Sequence, residues 1–190
     1  MINRSHMAAI LVLYGTGEGQ TRKIASRLRQ AFADEGHAVR IRDVQTLPDA
    51  FPLSSYDAVI IGSPIHRGKA HGSIRSIIRE QHKQLNAMVS AYFQVSLASA
   101  TDNPEKQAEA AGYVTDLLEA TGWEPDRIAQ FGGALRYSKY GFLTRMVMKR
   151  IAKGETGDID TSQDYEYTDW EAVDAFARDV SSLVQESILQ

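Results

Sequence analysis

A chain of 190 residues, 43% hydrophobic and 24% charged, is long enough to bury a full core in one domain. It contains no cysteine, which excludes disulfides, thiolate metal sites and cysteine nucleophiles, and which agrees with a cytoplasmic protein. A net charge of −3 gives no general reason to expect nucleic acid as a partner, and no apolar run approaches the ~20 residues of a membrane span.

Residues Met1 to Met7 are polar, carry no signal-peptide pattern and read as an artificial leader; one domain is expected over 8–190. The apolar run Ile10-Leu11-Val12-Leu13 predicts a buried strand. It stops at Tyr14-Gly15-Thr16-Gly17-Glu18-Gly19-Gln20-Thr21, and Ile24, Ala25 and Leu28 then recur at helical spacing. Strand, glycine and hydroxyl loop, then helix is the local geometry of an anion site. Glycine lets the backbone approach the ligand, and the free amides of the helix start favour negative charge. There is no Gly-Lys-Ser/Thr to hold a nucleoside triphosphate, and Gly15-x-Gly17-x-Gly19 is too compressed for a dinucleotide loop. The spacing Thr16-x-x-Gly19-x-Thr21 resembles the flavodoxin phosphate loop, which implies FMN. An ordinary tight strand-to-helix turn has the same composition and stays open at this point.

The first helix should reach about Glu35, with Gly36 as its stop. Ala38 to Val44 alternates like a half-exposed strand, and Thr46 to Ser55 is a proline-bearing loop. Ala58 to Gly62 predicts a strand buried on both faces, followed by a polar loop over Ser63-Pro64-Ile65-His66-Arg67-Gly68-Lys69. A helix over Ser73–Leu85, a strand over Val89–Leu97, a helix over Glu105–Thr121 stopped by Gly122, and a last buried strand over Arg127–Leu135 complete the alternation. Gly132-Gly133 marks a close approach or a bulge in that strand. Thr168 and Glu171 form a capping box that opens a closing helix.

Five strand–helix alternations predict an α/β fold, a flavodoxin-like three-layer sandwich with a five-stranded parallel sheet in the order 2-1-3-4-5. Such a sheet binds ligands outside its carboxyl ends, where the strand order reverses between the first and third strands. The loops there are Thr16–Thr21 and Ser63–Gly68, so the motif and the topology converge on one crevice. Ser96, Leu97, Ala98 and Ser99 should close it on the other side. His66 and His71 lie in the second loop region, either as solvated side chains or near enough to deliver a proton. No metal-ligand spacing is present.

Residues 136–167 form an insertion far longer than a usual connection, and such lengths in a compact domain are usually functional. Arg136, Lys139, Arg145, Lys149, Arg150 and Lys153 carry positive charge with no acidic residue between Arg136 and Lys153. Phe142, Leu143, Met146, Val147 and Ile151 fall at helical spacing within it, which predicts a basic amphipathic helix suited to a membrane surface, an anionic amphiphile or a partner groove. The alternative is a helix packed apolar face down with a wet basic rim. Tyr137 and Tyr140 should add aromatic surface beside the charge.

With these pieces together the chain resembles the flavodoxin-type, menaquinone-dependent protoporphyrinogen oxidases. The matching stretches are Gly17–Ser26, Tyr56–Gly68, Gly133–Phe142, Gly154–Asp158 and Tyr167–Val173. The resemblance implies bound FMN, oxidation of a porphyrinogen, electrons passed to a membrane quinone, and a peripheral position on the inner face of the cell membrane. It implies Thr16 to Thr21, Pro64 to Gly68 and Ser96 to Ser99 at the flavin. It also implies Arg136, Tyr137, Lys139, Tyr140, Arg145, Lys149 and Arg150 toward substrate and membrane. Ile65-His66-Arg67-Gly68 lacks the aromatic ring that carrier flavodoxins present there. An electron carrier with a protein partner and a nicotinamide-fed quinone reductase remain rival readings, and self-association stays open.

Overall fold

A computed structural model describes residues 7–48 and 51–189, so the leader expected over 1–7 lies outside it except for Met7. The parallel strands are β1 (Ala9–Tyr14), β2 (Ala38–Asp43), β3 (Ala58–His66), β5 (Val89–Ser96) and β6 (Arg127–Gly132), ordered β2-β1-β3-β5-β6. The short strand β4 (Lys69–Ala70) folds back antiparallel on β3, so the five parallel strands keep the expected order. The helices between them are α1 (Gln20–Asp34), α2 (Gly72–Leu85) and α3 (Pro104–Thr121). A second sheet of two strands, β7 (Ala134–Leu135) and β8 (Tyr165–Glu166), brackets α4 (Phe142–Glu155), and α5 (Trp170–Ile188) closes the fold.

The period-2 alternation of β1 and β3 splits the core into two layers. Ile10, Val12, Ala58 and Ile60 pack with Ile24, Leu28 and Phe32 of α1 and Val173, Val180 and Val184 of α5. Leu11, Leu13, Val59 and Ile61 face the other way, onto Ile74, Ile78 and Leu85 of α2 and Val114 and Leu117 of α3. A third, smaller cluster lies under the insertion, where Leu135, Tyr137, Tyr140 and Ala152 meet Leu97, Met148, Tyr165 and Tyr167.

Four local expectations change. The strand expected over Ala58–Gly62 continues to His66, because past Gly62 it still pairs with β5 after β1 has ended. The expected loop is therefore a hairpin: His66 pairs with Lys69, and Arg67 (φ 51°) and Gly68 (φ 74°) form a type I′ turn. The last strand is a half-exposed edge, not a buried one, and it ends at Gly132, where the Tyr167 carbonyl comes so close that a Cβ would lie 2.5 Å from it, the close approach expected of Gly132-Gly133. The cap of α5 is Asp169, whose carboxylate accepts from the amides of Glu171 and Ala172. Thr168 instead donates to the Gly132 carbonyl at 2.7 Å.

At the opposite end of the sheet from the crevice, His37 is buried between α1 and α5. Its Nδ1 accepts from the Ala8 amide (3.3 Å), which leaves the Nε2 hydrogen to donate to the Ser181 hydroxyl (2.8 Å). Burial holds its pKa below the ordinary 6.5, against a weaker pull upward from Glu35. The unfolded chain then takes up this proton more readily than the folded one, so stability is full above about pH 6.5 and declines as pH falls toward the depressed folded value. Thermal melts from pH 7.5 to 5 should show this decline in the wild type and a shallower one in His37→Gln. Equal slopes would rule His37 out as the cause.

Candidate functional site

The carboxyl ends of β1, β3 and β5 bring three segments together. The Gly15 amide donates to the Gly62 carbonyl at 3.0 Å, fixing the start of the first loop on β3. Thr16 Oγ1 accepts from the Gly19 amide at 3.0 Å, and Gly19 stands at φ 94° as the residue before α1. Helix α1 begins without a side-chain cap, as α2 and α4 do, whereas α3 and α5 are capped by Asn103 and Asp169; of the uncapped starts, that of α1 follows the glycine loop at the carboxyl end of β1. The first-turn amides of α1 are orphaned by helix geometry, a donor set whose chemistry fits a phosphate such as that of FMN. Thr16 and Glu18 are half-open, Gly17 is exposed, and Gln20 and Thr21 are buried under the turn.

The hairpin reaches this loop directly. A Cβ on Gly17 would lie 2.9 Å from His66 Nε2, and one on Gly15 would lie 2.9 Å from His71 Cγ. Both histidines therefore line the crevice wall, with His71 Nε2 3.2 Å from Gln45 Nε2 and its amide donating to Ser63 Oγ at 2.8 Å. Pro64 is buried, Ile65 half-buried, and His66 and Arg67 are exposed at the hairpin end. Gly68 rests on Tyr113 of α3, at 3.2 Å from its would-be Cβ to Tyr113 Cε1. Tyr113 hydrogen-bonds Glu109, and burial together with that carboxylate pushes the phenol up to about 12. Lys106 joins Glu109 (2.9 Å) to Glu155 at the end of α4 (2.8 Å).

The third segment is neutral and held by its own hydrogen bonds. Ser96 and Ser99 share a hydroxyl contact of 2.7 Å, and the Ser99 amide donates to Ser96 Oγ at 3.0 Å. Ala98 is buried in a single 3-10 turn, and Leu97 packs on the cluster beneath the insertion.

The insertion forms the predicted helix, and Phe142 (78% exposed), Leu143 (76%), Met146 (58%) and Val147 (58%) point outward, as the surface-facing reading expects and not as in the alternative packed face down. Lys139, Lys149, Arg150 and Lys153 are exposed among or beside them. Tyr137 and Tyr140 offer no aromatic surface: both are buried, ring edge to ring face, with centroids 5.9 Å apart. Arg145 is a staple whose Nη2 donates to the Tyr137 and Tyr140 carbonyls at 3.0 and 3.4 Å. Arg136 donates to Gln20 Oε1 at 2.9 Å and to Glu166 at 3.1 Å. Glu166, Thr168, Tyr113, Lys106 and Glu155 thus support the site without any spacing in the sequence that marks them. Among the described residues, no group of histidines and carboxylates could hold a metal, and no helix is long and apolar enough to cross a membrane.

A family model described as a flavodoxin domain matches residues 11–162. The chain is 34% identical over 181 residues to the protoporphyrinogen IX dehydrogenase (quinone) of Escherichia coli K12, covering 95% of this chain and 98% of that protein. A Leishmania major protein of the same name is 32% identical over 176 residues, 91% of this chain and 74% of its own length. In structure, a short-chain flavodoxin associated with a bacterial microcompartment matches with a TM-score of 0.60 at 10% identity, over 94% of this chain and 99% of that one. An archaeal flavodoxin matches with a TM-score of 0.55 at 13% identity, over 93% and 99%. These two likenesses show the fold, and the sequence matches carry the lineage: the chain belongs to the flavodoxin-domain family and, across 95% of its length, to the protoporphyrinogen IX dehydrogenase (quinone) family within it.

Proposed function

We propose that residues 8–190 form one FMN-binding domain that oxidises protoporphyrinogen IX to protoporphyrin IX and passes the electrons to a membrane quinone. The observation that carries this reading is the uncapped start of α1 behind the left-handed Gly19 turn, in the crevice between the β3–β4 hairpin and the segment after β5. FMN, when bound, supplies the electron-accepting chemistry, and the protein supplies position and electrostatics. The segment Thr16, Gly17, Glu18, Gly19, Gln20 and Thr21 would hold the phosphate through the Thr16 and Thr21 hydroxyls and the loop amides other than that of Gly19, which already donates to Thr16 Oγ1. Pro64 to Gly68 and Ser96 to Ser99 would flank the ring from its two sides. The outward face of α4, apolar side chains edged by Lys149, Arg150 and Lys153, holds the protein reversibly on an anionic inner membrane surface. There it meets a substrate with acidic side chains and the quinone.

Titration of flavin-free protein with FMN, followed by absorbance, should give stoichiometric binding at micromolar concentration or tighter. Stopped-flow mixing of the loaded protein should then show rapid bleaching by protoporphyrinogen IX and recovery on adding menaquinone. No binding at micromolar FMN ends the reading. Bleaching by NADPH but not by the porphyrinogen would make the protein a nicotinamide-fed quinone reductase. Bleaching only through a reductase protein, with a stable one-electron state, would make it a carrier.

A further inference from the structure

Two residues of the insertion turn inward, onto the loop assigned above to the FMN phosphate. Tyr140 Oη donates to Glu18 Oε2 at 2.5 Å and accepts from the Arg136 amide at 3.2 Å. The Arg136 guanidinium donates to Gln20 Oε1, whose amide nitrogen in turn donates to Thr168 Oγ1 at 2.8 Å. Glu18 and Gln20 flank Gly19, so both side chains next to the left-handed residue of the loop are gripped from outside. A carboxylate at this place would repel a bound phosphate if it swung inward. The Tyr140 hydroxyl holds it on the insertion side of the loop. Burial in the first place, and the Glu18 carboxylate in the second, raise the Tyr140 pKa, so the phenol stays a donor throughout the neutral range.

We propose that Tyr140, supported by Arg136, is a positioning residue for the phosphate loop, so that the insertion and the flavin site are thermodynamically linked. This rests on the FMN assignment above. Linkage is reciprocal: a loop held in place by the insertion retains FMN, and bound FMN steadies the insertion. The arrangement places the flavin's presence and the state of the substrate-facing segment in one network.

Tyr140→Phe removes the hydroxyl and keeps the ring that packs on Tyr137. Loss of one hydrogen bond to a charged group should weaken FMN binding about five- to tenfold in fluorescence titrations, with the melting curve of the flavin-free protein little changed. Glu18→Ala removes the other end of the bond and leaves the loop amides in place. If Tyr140 acts through Glu18, the double variant binds FMN no more weakly than the worse single variant. In hydrogen exchange, FMN should slow the amides of residues 136–141 in the wild type and not in Tyr140→Phe. Wild-type FMN affinity within twofold in Tyr140→Phe, or single-variant losses that multiply in the double, overturns the proposal. Failure of the wild type to bind FMN at all would instead remove the cofactor assignment, and this proposal with it.

Discussion

Replacing Phe142 and Leu143 with serine should lower partitioning onto anionic vesicles about a hundredfold. Each of these side chains is more than three-quarters exposed, so almost all of its transfer free energy is still available to a surface. Burying an aliphatic or aromatic side chain is worth about 1.5–3 kcal/mol, and two of them partly inserted give about 3 kcal/mol, or about two decades of affinity. Lys149→Gln, Arg150→Gln and Lys153→Gln together should cost a similar amount at low ionic strength, at about 1 kcal/mol per cation near the surface. The two variants separate by salt: the cationic contribution fades as the Debye length shrinks, and the apolar one does not. Arg145 is left intact in both, because its bonds to the Tyr137 and Tyr140 carbonyls make it part of the insertion's frame. Turnover with vesicle-borne quinone should fall alongside binding while the FMN affinity holds. If both variants bind vesicles like the wild type, α4 faces a protein or a second copy instead, and sedimentation with and without Phe142 and Leu143 tells which.

Gly62→Ala should be the most damaging single change in the sheet. A Cβ at this position would lie 2.0 Å from Phe93 Cζ and 2.5 Å from both Cε atoms, with the ring already wedged against Phe131. Overpacking of this kind costs about 3 kcal/mol, which for a domain of this size lowers Tm by about 6–12 °C. The effect reaches the crevice, since the Gly62 carbonyl is the acceptor that seats Gly15 at the start of the phosphate loop. FMN binding should weaken with stability. Phe93→Leu in the same chain opens the space, so the double variant should melt above Gly62→Ala. A double variant that melts below both singles would mean that the clash is not the mechanism.

The central fold was legible because a parallel strand covered on both faces leaves a continuous apolar run. Ile10 to Leu13 and Ala58 to Ile61 show it plainly, and Gly36 and Gly122 end their helices as expected, both at positive φ. The extension of β3 was hidden because Ser63 and Pro64 have turn-like composition. Pairing with β5, a tertiary fact, keeps them extended. The cap of α5 shifted by one residue because Thr168 had a stronger claim on it from the Gly132 carbonyl and Gln20, both distant in sequence. In the insertion the sequence shows an amphipathic helix but not which face is covered. Arg145, Met148 and Ala152 turn inward because they meet the buried Tyr137 and Tyr140 and their carbonyls, contacts distant from any helical period. The Tyr140–Glu18 contact joins residues 122 positions apart and leaves no periodic trace.

The two-stranded sheet of β7 and β8 has a consequence for how such proteins diversify. Ala134 pairs with Glu166 and Leu135 with Tyr165, so the insertion leaves and rejoins the main body at one point. Closing roughly thirty residues between fixed ends costs little more than closing ten, since the entropy grows only logarithmically. The segment therefore behaves as a cassette: a lineage can acquire, lengthen or replace it without reopening the five parallel strands. The graft still needs matching sockets on the host, and here these are Glu18 and Gln20 on one flank and Lys106 on the other. Sequences that share those three residues but differ between 136 and 164 would mark relatives in which the same redox scaffold has been given a different reach.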